Sequence, residues 1–312
     1  MKRQVTIVMY HYVRDLEHSR FPAIKGLTVD RFRNQLEYVR THFTPIALED
    51  ILEAASDPKR ELPPNSVLLT FDDGYSDHFS NVFPLLDARG IKGCFFPPAQ
   101  AILEHKVLDV NKIQFVLAAK PNSGALLDQV FSFIDEYRSM HNLATKEAYL
   151  SAISRDHRYD TREVTRIKQL LQRELPEAVR CEIVRRLFEE HVSSDEVAFA
   201  CELYMSTDQL ACLHRNGMHI GSHGYSHLWL DGVSQGVQAF EVDRSLEFLH
   251  NLGAMKEDWT MCYPYGGFND SLLQVIRSRK CRLGFTVEAR IADLNADNLL
   301  TLPRIDTNDL PS

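Results

Sequence analysis

The chain has 312 residues, 44% of them hydrophobic and 25% charged, and carries a formal charge of −8. That is enough for one large domain or two ordinary ones, with apolar surface to bury a sizeable core. An acidic balance with no long basic run excludes nucleic acid as a partner, because phosphate binding relies on clustered Lys and Arg.

The start, MKRQVTIVMYHYV, has a short apolar run broken by Tyr10 and His11 and no small-residue cleavage site. It reads as a first strand over residues 5–10 and not as a signal peptide, so a cytoplasmic protein is expected. No apolar stretch is long enough to span a bilayer. Residues 28–41 read as a helix opened by a Thr or Asp cap, with Phe32, Leu36 and Val39 at helical spacing. FTPIALEDILEAA passes from strand to helix, and the Pro-rich, charged DPKRELPPNS closes that unit. The strand SVLLTF then runs into two adjacent acids, Asp72 and Asp73. A helix ending at Gly90 and the strand IKGCFFPP follow. Alternating strand and helix predicts a parallel α/β sheet or barrel.

From about residue 104 to 205 the pattern is almost entirely helical. This stretch reads as an insertion in a single α/β domain spanning residues 1–312. It would serve as a lid, a dimer surface or a stabilising flange, and a homo-oligomer would form through it. The α/β pattern resumes with the helix STDQLACLHRNG, the strand MHIGSH, a helix over residues 235–252, the strand and turn WTMCYPYG and a helix through LLQVIRSRK. CRLGFTV and LLTLPRID supply the last strands. The six cysteines form no C-x-x-C pair and read as reduced thiols.

Four features carry chemistry. An Asp-Asp-Gly turn is common in loops, but this one sits at the C-terminal end of a core strand, where ligands of α/β folds collect. In HIGSHGYSHLWL, His223 and His227 stand four apart; a helical turn after the strand would face both imidazoles one way, whereas a polar loop would leave them as surface or capping residues. Two histidines and one carboxylate match a catalytic zinc or related divalent site, and the second acid is left as a general base. MCYPYGGFND offers a rigid turn able to aim a backbone N–H at an oxyanion. His11, at the end of the first strand, is by itself more often structural than catalytic.

TFDDGY, SHGYSH and YPYG, in this order and each after a strand, resemble the polysaccharide deacetylases of carbohydrate esterase family 4. The resemblance covers roughly residues 5–100 and 206–306. It implies a distorted (β/α)7-type barrel and a divalent metal, zinc first and cobalt or nickel next. It also implies loss of acetyl groups from an N-acetylated sugar or glycan. By motif, Asp72 is the implied general base, Asp73, His223 and His227 the metal ligands, and the backbone amide of Tyr265 an oxyanion donor. Two positions depart from the commonest pattern: Cys262 stands where many members carry an Arg that orients the base, and the late Leu-x-His that supplies a general acid is missing. The branch resembling poly-N-acetylglucosamine deacetylases opens with a Tyr-His strand like Tyr10-His11. On that basis His11 is expected as general acid, with Arg304 or Asp306 orienting the site. His78, His105, His157, His214 and His219 receive no catalytic role. The rival readings are an O-acetyl ester or other amide hydrolase on the same site, and a catalytically silent carbohydrate-binding protein. With no leader expected, the substrate would be a nucleotide-linked or lipid-linked precursor of a surface glycan.

Overall fold

A computed structural model describes residues 3–153, 160–255 and 259–311, which leaves His157 outside the described residues. In chain order the strands are β1 (Gln4–Tyr10), β2 (Val13–Arg14), β3 (Leu27–Thr28), β4 (Thr44–Pro45), β5 (Ser66–Asp72), β6 (Gly93–Phe96), β7 (His219–Ile220), β8 (Trp259–Cys262), β9 (Cys281–Phe285), β10 (Ala292–Asp293) and β11 (Ile305–Asp306). The chain divides into two compact units, one of residues 1–15, 26–106 and 200–312, the other of residues 16–25 and 107–199.

The first unit holds all the strands. β1 pairs in parallel with β5, β5 with β6, and β6 with β7. Single parallel bridges, Ser222 to Met261 and Phe285 to Leu302, tie the parallel pair β8–β9 to the chain on either side. β11 then lies parallel to β1, with Val8 opposite Ile305. The parallel pairs therefore run through β1, β5, β6, β7, β8, β9 and β11 and return to β1, the circuit expected of a distorted (β/α)7 barrel. Links made by one bridge each are where the distortion sits.

Strand alternation sorts each stave between interior and helix layer. Val5 and Ile7, Leu68, Cys94 and Phe96, Cys262, Leu283 and Phe285, and Leu302 share one apolar cluster drawn from β1, β5, β6, β8 and β9 and the segment before β11. On β5 the same side continues upward as Thr70 and Asp72, whereas Phe71 stacks on Tyr10 and Phe95 on the opposite side. Every residue of β5 is buried, the pattern of a strand covered on both faces. An apolar strand thus meets two acids because its inward side turns from hydrocarbon to polar groups as it reaches the barrel mouth.

The second unit is helical. Its helices include Asp109–Ala119, Ser123–His141 and Glu177–His191, and edge-on contacts among Phe115, Phe188 and Phe199 mark its core. No strand lies between β6 and β7 among the described residues, as the pattern over residues 104–205 predicts. No helix among the described residues is long and apolar enough to cross a membrane.

Candidate metal centre

Asp72 is the last residue of β5, and the chain leaves the strand at once: Asp73 and Gly74 both take left-handed backbone conformations, φ 69° and 67°. Asp tolerates that region better than most residues. Gly74 is required there, since a Cβ would also come within 2.8 Å of Pro97. Strand alternation alone would separate the two carboxylates; the structure separates them by this left-handed turn.

Asp72 is clamped. Fully buried Arg304 donates from its two terminal nitrogens to the two Asp72 oxygens, at 2.9 and 2.8 Å. The guanidinium also donates to Thr70 Oγ1 at 3.0 Å and to the Thr286 carbonyl at 2.9 Å. Burial pushes the Asp72 carboxyl up, but Arg304, His223 and His11 outweigh it and hold the pKa at about 2. The carboxylate stays ionised, and each oxygen keeps a lone pair beyond those the fork uses. Arg304, reached from the last stave, thus contacts Asp72 directly, while Cys262 lies buried close by. Asp306, the other residue expected to orient the site, instead accepts from the Asn308 N–H and amide at 2.8 and 2.7 Å. Its side chain caps a turn.

Asp73 is surrounded differently. One oxygen accepts from Tyr75 at 2.6 Å; the other, Oδ1, is buried with no hydrogen-bond partner among the described residues. The Nε2 atoms of His223 and His227 lie 3.4 and 3.3 Å from that oxygen. Ligands about 2.1 Å from a tetrahedral ion sit about 3.4 Å from one another, so the spacing fits a shared cation. All three ligand atoms fall within 4.8 Å of one another. Burial opposes the charge on Asp73, but His223 and His227 overcome it and hold the carboxyl well below its ordinary range. Burial also lowers the pKa of His227, which favours the neutral, ligating imidazole. His223 donates from Nδ1 to the Cys262 carbonyl at 2.8 Å and turns Nε2 toward Asp73; burial lowers its pKa, but Cys262 and Asp73 overcome this and raise it well above the ordinary histidine value, so an ion bound there would displace the Nε2 proton. An orphaned carboxylate oxygen and two imidazoles turned toward it are the residues a divalent ion needs. A second trio, Asp72, His223 and Cys262, is as compact. There, however, Arg304 occupies the carboxylate and burial raises the thiol pKa, which disfavours a thiolate ligand.

The two histidines do not converge through a helical turn. Residues 221–229 form a loop in which Gly224 and His227 are left-handed, φ 74° and 59°. Buried Glu241 pins it by accepting from the N–H groups of Tyr225 and Ser226 at 3.0 and 2.9 Å and from the Ser226 hydroxyl. The loop's own polar groups compete with helical bonding, and Glu241 rewards the open shape. Tyr265, left-handed at φ 57° in the turn Pro264–Gly266, stacks flat on Trp229 at 4.3 Å and meets His227 edge-on at 4.7 Å. His11 stands at the end of β1, near enough to Asp72, Asp73 and His227 to act on the charge of each. The structure thus brings Asp72, Asp73, His223, His227 and Arg304 together with the Tyr265 ring against His227, and leaves Asp306 outside this set. Sequence reasoning missed Tyr75, Glu241 and the Trp229–Tyr265 stack. Of these, only Tyr75 carried a signal, as the last letter of TFDDGY.

A parallel barrel whose mouth sets a guanidinium-clamped acid beside a carboxylate and two imidazoles that could hold an ion has the architecture of a hydrolase site. The chain belongs to the polysaccharide deacetylase family, whose model matches residues 59–130 and 161–284. Among curated proteins it is similar to the poly-beta-1,6-N-acetyl-D-glucosamine N-deacetylase of Escherichia coli (strain K12), 34% identical over 83 residues. It is likewise similar to the enzyme of the same name from Staphylococcus epidermidis, 29% identical over 92 residues. These matches span 26% and 30% of this chain, but only 12% and 31% of the relatives' own lengths. Among solved structures the fold is similar to Streptococcus pyogenes deacetylase PplD in complex with acetate, with TM-score 0.62, 17% identity, and coverage of 100% of this chain and 95% of that one. It is also similar to IcaB from Ammonifex degensii, with TM-score 0.57, 16% identity, and coverage of 98% and 92%.

Proposed function

We propose that this chain is a metal-dependent N-deacetylase that hydrolyses the acetamide of an N-acetylated sugar or glycan. The observation that carries this reading is the buried, unpartnered Oδ1 of Asp73, 3.3 and 3.4 Å from two imidazole nitrogens and one residue from the clamped acid Asp72. Asp73, His223 and His227 would hold the ion; two nitrogens and one carboxylate suit zinc first, with cobalt or nickel next. When bound, such an ion supplies a Lewis acid for the acetyl carbonyl and lowers the pKa of a water.

The chain's own residues divide the remaining work. Asp72, held ionised by Arg304, accepts a proton from the attacking water. The Tyr265 backbone amide donates to the carbonyl oxygen as negative charge develops there. His11 delivers a proton to the departing amine, so that water and acetamide become acetate and a free amine.

The test is acetate release from N-acetyl and O-acetyl sugars by zinc-loaded protein, with Asp72→Asn as control. Release from the N-acetyl sugars that is lost in the variant supports the reading. Release only from the O-acetyl sugars makes the protein an esterase. No release from either, together with no uptake of a divalent ion, makes it a silent binding protein.

A further inference from the structure

His11, half-buried just past the end of β1, is held from the segment that follows the acidic turn. Residues His78–Val82 form one π-helical turn, closed by the Phe83 N–H on the His78 carbonyl. Such wide turns are frequent beside functional sites. Three side chains of this segment reach residues 11–14. His78 donates from Nε2 to the His11 carbonyl at 2.8 Å, Asn81 donates from its amide to the Val13 carbonyl at 2.8 Å, and Asp77 accepts from Arg14 Nε at 2.7 Å. The peptide before His11 is set by β1, where Tyr10 pairs with Phe71 of β5. The His11 backbone is therefore fixed on both sides, and with it the direction of its side chain.

His78 is fully buried among the rings of Phe71, Tyr75 and Phe95, and its Nδ1 has no hydrogen-bond partner among the described residues. Burial lowers its pKa to about 4, so the ring is neutral. A carbonyl only accepts, so the single ring proton sits on Nε2. A phenylalanine would fill the same aromatic nest without leaving a buried nitrogen idle, which costs free energy. What the histidine adds is its bond to His11. We propose that His78 is a positioning residue which, through the His11 carbonyl, aims the His11 imidazole at the departing amine. The inference rests on the deacetylase reading with His11 as general acid, and adds a residue that no motif marks. Tyr75, three residues before His78, donates to the Asp73 carboxylate at 2.6 Å and stacks on Tyr12 at 4.0 Å. Residues 75–81 thus hold both the unclamped acid and the proton donor, so one short segment sets the spacing between them.

The test is a double-mutant cycle on zinc-loaded protein, read as acetate release from N-acetylated sugars. His78→Phe keeps the ring volume and removes the donor; His78→Leu, also without a donor, repeats the comparison should the first variant not fold. The expected result is a kcat about tenfold lower with KM and zinc content unchanged, because a misplaced general acid forfeits part of its contribution. In a His11→Ala background the same substitution is expected to have no further effect. His78→Gln, whose amide nitrogen stands near the Nε2 position, keeps kcat within about twofold of the parent. Carbethoxylation followed by mass spectrometry reads His11 without turnover, and its rate rises in His78→Phe but not in His78→Gln. Parent-like turnover of His78→Phe, or an equal loss with and without His11, overturns the positioning role, and so does parent-like turnover of His11→Ala. A parent protein with no turnover on any N-acetylated sugar sinks the deacetylase reading instead. The carbethoxylation rate then decides alone: unchanged in His78→Phe, it overturns the positioning as well.

Discussion

Asp72 and Asp73 are neighbours in sequence and equally hidden, 1% and 3% exposed, yet their surroundings oppose each other. Around Asp72 the protein brings its own cation, and both oxygens are engaged by Arg304. Around Asp73 one oxygen is held by Tyr75 and the other faces two imidazoles across distances too long for good hydrogen bonds. One acid is neutralised from within; the other is arranged for a cation from outside. Desolvating two adjacent carboxylates would be prohibitive without both partners. This contrast supports the proposed division of work, one acid as a base and the other as a ligand.

The comparison can be broken at each corner. Asp72→Asn is expected to lower turnover about a thousandfold, the scale of a lost general base, with zinc content unchanged; metal analysis beside the kinetics would reveal a loss of ion, which would merge the two roles. Arg304→Ala leaves a buried carboxylate without its counter-charge and is expected to cost about 3 kcal/mol in denaturant unfolding. A stability within experimental error of the parent would mean that water replaces the clamp. His11→Ala should slow turnover about a hundredfold under metal-saturated conditions and leave metal affinity alone; intact turnover removes His11 from the reaction. The smallest effect sharpens the Asp73 corner. Tyr75→Phe frees the second carboxylate oxygen and is expected to weaken zinc binding about tenfold in a chelator competition, with the fold intact.

Much of this was legible in the sequence because it is carried by local pattern. Strand runs and the order of TFDDGY, SHGYSH and YPYG placed Asp72 and Asp73 at a strand end and His223, His227 and Tyr265 in the loops that follow strands. Barrel closure was legible only through the family resemblance, since single bridges at Ser222–Met261 and Phe285–Leu302 complete it and no run of residues signals a single bridge. The choice between Arg304 and Asp306 likewise waited for the fold: the Arg304 guanidinium reaches Asp72 and Thr70, while the Asp306 carboxylate caps Asn308. Glu241, on the helix over residues 235–251, had no motif to mark it and is buried because the loop over residues 221–229 brings it two backbone N–H groups. Such contacts depend on which distant groups the closed barrel brings within reach, and propensity does not encode that.

The central claim is that Asp73, His223 and His227 form a cation site distinct from the clamped Asp72. Zinc titration of the parent protein, Asp73→Asn and Asp72→Asn under one chelator competition tests it most directly. The account predicts parent-like affinity for Asp72→Asn and a loss of about a hundredfold or more for Asp73→Asn. Equal affinity in all three proteins, or a loss confined to Asp72→Asn, would contradict it.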